Sequence, residues 1–62
     1  MELETNSKKL LKMLKAEGFE EIQKRGSHLK LRKGERTVIL PHPKKDLPHG
    51  TVRAIYRQAG LL

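Results

Sequence analysis

His28 heads a run in which polar side chains recur at every second position: His28, Lys30 and Arg32, with Leu29 and Leu31 between them. A period of two is that of a β-strand, so the polar three share one face and the leucines the other. Histidine is the side chain whose charge changes between about pH 5 and 8, which suits it to giving or taking a proton. The cations beside it suit a phosphate-bearing partner. Lys24-Arg25-Gly26-Ser27 stands just before the row. It reads as a tight turn: Gly26 supplies backbone freedom, Ser27 a local hydrogen bond, and Lys24 and Arg25 two further cations. Proton transfer next to a phosphate is the chemistry such a row could do. A lone strand histidine in a basic chain is more commonly a plain contact or a solvated residue.

The chain has 62 residues, a net charge of +7 and a pI of about 10.2. That is one small domain, residues 1–62, and a domain of about 60 residues buries only about 60% of the surface of its unfolded chain. It has no cysteine, which excludes disulfides and cysteine zinc sites and fits a reducing compartment. No apolar run reaches the roughly 20 residues of a membrane span, and no signal-peptide core opens the chain. A soluble cytoplasmic protein with no membrane contact is expected. The charge is unevenly spread. Residues 1–21 hold four lysines against five glutamates, a net of −1; residues 22–62 hold ten Lys/Arg against Glu35 and Asp46, a net of +8. A basic body this small suggests nucleic acid or an acidic protein partner, beyond mere solubility.

The elements that must hold the row follow from periodicity. Met1–Asn6 is polar and expected to fray. Ser7 is a good N-cap for a helix to about Glu17, with Leu10, Leu11 and Leu14 on one stripe, Met13 at its edge and Gly18 as the stop. Phe19 through Lys24 reads as a first strand despite the poor strand formers Glu20 and Glu21, with Phe19 in the core. His28–Lys33 is the second strand, and Gly34-Glu35 the next hairpin turn. Thr37–Leu40 is the third, ended by Pro41, which has no N–H for a ladder. Residues 41–48 form a loop that tucks Leu47 inward. Val52, Ile55, Tyr56 and Ala59 repeat as one helix face, capped by Thr51 or the residues before it and ended by Gly60. The expected fold is α+β: α-β-β-β-α, a three-stranded antiparallel sheet with both helices on one face. His28, Lys30 and Arg32 then lie on the open face.

Lys24-Arg25-Gly26-Ser27-His28, Val38-Ile39-Leu40-Pro41, Leu47-Pro48, Gly50-Thr51-Val52-Arg53-Ala54-Ile55 and Gln58-Ala59-Gly60-Leu61 together resemble the HicA toxin family, from about Ser7 to Leu61. The resemblance implies a double-stranded-RNA-binding-like fold. It implies an mRNA interferase of a type II toxin–antitoxin pair, active in stress response, and neutralisation by a HicB-like acidic antitoxin. The free chain is expected to be a monomer, and its antitoxin complex a hetero-oligomer. It also carries a catalytic role to His28, the histidine after Gly-Ser. Many members have a second histidine directly after the first, where this chain has Leu29.

RNA brings its own nucleophile, the 2′-hydroxyl. A base that removes its proton lets that oxygen attack the adjacent phosphate, and cations stabilise the charge that builds there. His28 is the candidate general acid or base, with Lys24, Arg25, Gly26, Ser27, Lys30 and Arg32 as RNA-binding candidates. His42 and His49 are candidates for a second proton carrier, though a loop or helix-entry role suits them better. His42, Asp46 and His49 match no standard metal spacing, so no metal and no cofactor are expected. The alternative function is an RNA-binding module without catalysis on the same basic face.

Overall fold

The computed structural model describes residues 3–62. The order is α1 (Ser7–Ala16), β1 (Glu20–Arg25), β2 (His28–Lys33), β3 (Arg36–Pro41) and α2 (His49–Gln58). The strands form one antiparallel sheet in the order β1-β2-β3. Leu29 and Leu31 of β2 and Val38 and Leu40 of β3 are buried under Leu10 and Leu14 of α1 and Val52, Ile55 and Tyr56 of α2. Phe19, Leu47 and Ala59 complete this core. Both helices therefore cover one sheet face and leave the other open, as the alternation predicts.

Both helices stop in the same way. Gly18 (φ 102°) and Gly60 (φ 77°) adopt the left-handed conformation that only glycine tolerates well. Phe19 N–H donates to Leu14 O and Gly18 N–H to Lys15 O; Leu61 N–H donates to Tyr56 O and Gly60 N–H to Arg57 O. These paired bonds are the Schellman arrangement, and they turn Phe19 back onto the helix it has just left. Arg36 lies across Gly60, and a Cβ there would stand 2.5 Å from its guanidinium carbon.

Helix starts differ from expectation. The cap of α1 is Asn6, whose Oδ1 accepts from Lys8 and Lys9 N–H at 3.0 and 3.2 Å. Ser7 is instead buried inside the first turn. Its N–H donates to Lys44 O, its Oγ accepts from Lys44 N–H at 2.7 Å, and that oxygen lies 2.9 Å from His42 Nδ1. The serine is used as a tertiary clamp on the loop after β3, so the neighbouring asparagine does the capping. Thr51 lies within the first turn of α2; the cap position is Pro48, with no side-chain bond. The strands also shift slightly. Phe19 precedes β1, and β3 runs from Arg36 through Pro41, whose missing N–H falls on the free edge. Of the segment expected to fray, Glu4 N–H donates to Tyr56 Oη and Thr5 O accepts from Leu47 N–H. The first two residues lie outside the described ones.

Gly60→Ala should lower stability by about 1–2 kcal/mol through left-handed strain and displacement of Arg36. Gly50→Ala, inside α2 with nothing within 4 Å of the new Cβ, should leave it unchanged or raise it by up to about 1 kcal/mol. Thermal melts of the two variants check this, since 1 kcal/mol moves Tm by about 4–8 °C in a domain of this size.

Candidate nucleic-acid interface

The turn before β2 contains two residues, Gly26 and Ser27, with positive φ (57°) at Gly26 alone. Glycine at the first central position suits the type II′ hairpin, whose twist matches the strands it joins. The turn is also tied from the far side, because Ser27 O accepts from His42 N–H at 2.7 Å. It is a rigid corner, and His28 is the first residue after it.

Cross-strand register decides what stands beside each member of the row. His28 lies between Arg25 of β1 and Pro41 of β3; Lys30 between Gln23 and Ile39; Arg32 between Glu20 and Thr37. Residues directly opposite in an antiparallel pair share a face. His28, Arg25, Lys30, Gln23 and Ile39 are therefore neighbours on the open face. With Leu29 they line a shallow hollow of about 210 Å³. His28 and Arg25 are exposed, Lys30 is half-buried, and Ile39 is 42% exposed, a large apolar side chain left facing solvent.

Other expected members do not join this cluster. Lys24 pairs with Leu29, which puts it on the helix side of the sheet margin, away from His28. Strand alternation is the reason: next-door residues cannot share a face. Arg32 stands four residues from His28, about 13 Å along a strand. Its Nε donates to Gly34 O at 3.2 Å, which turns the guanidinium toward the other hairpin. Gly26 and Ser27 are exposed and shape the corner. Gln23 and Ile39 were not among the expected site residues. Their signal is the register, which a bulge between Glu21 and Gln23 resets.

The remaining histidines lie elsewhere. His42 sits opposite Ser27 and bonds to Ser7 on the helix side; His49 is the exposed first residue of α2. Among the described residues no three His, Cys, Asp or Glu side chains come together as a metal site. No helix among them is long and apolar enough to cross a membrane. A larger hollow at the opposite end of the sheet is lined by Glu17, Glu35, Lys33 and Arg36 among others and holds no histidine.

Searched against known proteins, the chain finds no curated relative that matches it. A family model does match: that of the HicA toxin of bacterial toxin–antitoxin systems, over residues 7–61. The match takes in both helices, all three strands and the corner that carries His28. By that match across nearly its whole length, the chain belongs to the HicA family of toxins from bacterial toxin–antitoxin systems.

Proposed function

We propose that this toxin is a metal-independent endoribonuclease that cuts mRNA in the cytoplasm, with His28 as its general acid or base. The observation that carries the reading is the exposure of His28 on a face with no part in the core, flanked by Arg25 and Lys30. An RNA strand laid along β2 would bring a phosphate against these two cations. His28 takes the proton of the 2′-hydroxyl, and that oxygen forms a bond to the adjacent phosphorus. The bond to the 5′-oxygen of the next nucleotide breaks, and that oxygen takes a proton from solvent water as it leaves. The products are a 2′,3′-cyclic phosphate and a 5′-hydroxyl. Arg25 and Lys30 stabilise the charge on the phosphoryl oxygens as it grows. The nucleophile belongs to the substrate, so the step requires no metal-activated water.

His28→Ala should lower cleavage of a labelled RNA in EDTA by about 10²–10⁴. It should leave stability within about 0.5 kcal/mol, because the residue is exposed. Lys30→Ala and Arg25→Ala should weaken RNA binding and reduce its salt slope by about one each, while Lys24→Ala should do less. If His28→Ala folds and cuts at the parent rate, the acid–base role is wrong. If the parent binds RNA but never shortens it, the chain is a binding module instead.

Neutralisation in this reading comes from a HicB-like acidic antitoxin that covers the open face. Hydrogen exchange on the complex should show new protection at Gly26-Ser27 and along β2. Protection confined to α1 would count against direct occlusion of His28.

A further inference from the structure

Among the described residues, β1 is unlike every other element. It is exposed at all six positions, and its charges cancel: Glu20 and Glu21 against Lys24 and Arg25. All the other elements are net positive. It is also the open edge of the sheet. On the opposite edge, Ile39 N–H donates to Gln58 Oε1 at 3.2 Å, and Pro41 has no N–H to offer.

We propose that β1 is a self-complementary docking strand that pairs antiparallel with β1 of a second copy of this chain. Run against itself, Glu20-Glu21-Ile22-Gln23-Lys24-Arg25 sets Glu20 opposite Arg25, and Glu21, whose carboxylate lies 3.3 Å from Lys15 Nζ within the chain, opposite Lys24, each twice over. Four ion pairs then flank a centre where Ile22 meets Gln23. Ile22 is 48% exposed in the single chain and would be covered there.

The bulge makes this pairing possible. In a regular strand, residues five apart point to opposite faces, so Glu20 and Arg25 could not meet. A two-fold axis between residues 22 and 23 would also fail in a regular ladder, because successive pairs alternate between bonded and non-bonded types. The extra residue at the bulge removes both obstacles. Glu20 and Arg25 now both lie on the open face, opposite Arg32 and His28; Glu21 and Lys24 both lie on the helix side, opposite Leu31 and Leu29. The two-residue turn makes Arg25–His28 a bonded pair, so Lys24 directs its N–H and C=O outward, and beyond the bulge Glu21 does the same. The outward positions are then 21 and 24, symmetric about the required axis. The result is a six-stranded sheet whose two-fold stands perpendicular to it, with both His28 residues on the same side.

An edge of six residues buries little, so the dimer belongs to the weak class below about 1,200 Å². The expectation of a monomer therefore holds at low concentration only. Sedimentation of the full chain from about 10 µM to about 1 mM covers the affinities of such contacts. Salt near 0.15 M damps the repulsion between two +7 chains. The parent should dimerise with concentration. Lys24→Glu, which sets two carboxylates opposite each other at two places, should weaken association by about tenfold or more. The double variant Glu21→Lys with Lys24→Glu restores the charge order with signs reversed and should restore the dimer. Ile22→Lys, at an exposed position, should weaken it independently. A chain monomeric over the whole range overturns the proposal, as does association unmoved by Lys24→Glu or Ile22→Lys. So does a double variant that melts like the parent yet stays monomeric.

Discussion

Leu29 and Leu31 must be buried, and almost everything else about the open face depends on that. A 62-residue chain has enough apolar side chains to cover one side of one sheet. Side chains on a strand alternate, so burying these two leucines turns His28, Lys30 and Arg32 outward with no further energy spent on their placement. A slip of one residue in register would bury a histidine and two cations and expose two leucines. The two hairpins pin the register at both ends of β2, and the Ser27–His42 bond pins the corner again. His28 is thus positioned by apolar burial beneath it and by backbone bonds at its side.

The charge of the chain is divided between two tasks. Lys33 lies against Gly18 and Arg36 against Gly60, so one cation rests on the C-terminal end of each helix. There the exposed carbonyls carry the negative end of the helix dipole, and a cation is favourable. Arg32 is drawn to Gly34 O at the same end. Three basic residues of the hairpin end therefore stand by helix ends or a turn carbonyl, away from His28. Arg25 and Lys30 stand at the other end, beside His28. Net charge alone would overstate the number of cations standing beside His28 on the open face.

The sequence made the element order and the core legible because these rest on short-range periodicity. Leu10 and Leu14, Leu29 and Leu31, and Val52, Ile55 and Tyr56 all fall where period 3.6 or period 2 puts them. Gly18 and Gly60 announced the helix ends, since few other residues tolerate the left-handed turn. What stayed hidden depended on contacts distant in sequence. Ser7 looks like a cap until Lys44 and His42, more than thirty positions away, are seen to occupy its hydroxyl. Lys24 looks like a neighbour of His28 because the two are close in sequence, yet its partner across the ladder is Leu29. Gln23 and Ile39 join the hollow only once the bulge is known, and a bulge leaves no reliable mark in composition.

Gln58 and Pro41 have a consequence for how large any assembly through this sheet could grow. An open sheet normally has two edges, and strand addition at both would give a fibril without end. Here one rim is blunted by a glutamine side chain that takes the N–H of Ile39 from α2 and by a proline that cannot donate. Pairing through the other rim, strand to like strand, uses that rim on both molecules. The symmetry closes at two copies. Among the described residues, the rim along β3 thus offers another strand fewer donors than the rim along β1, which favours pairing at the bare strand over growth in both directions.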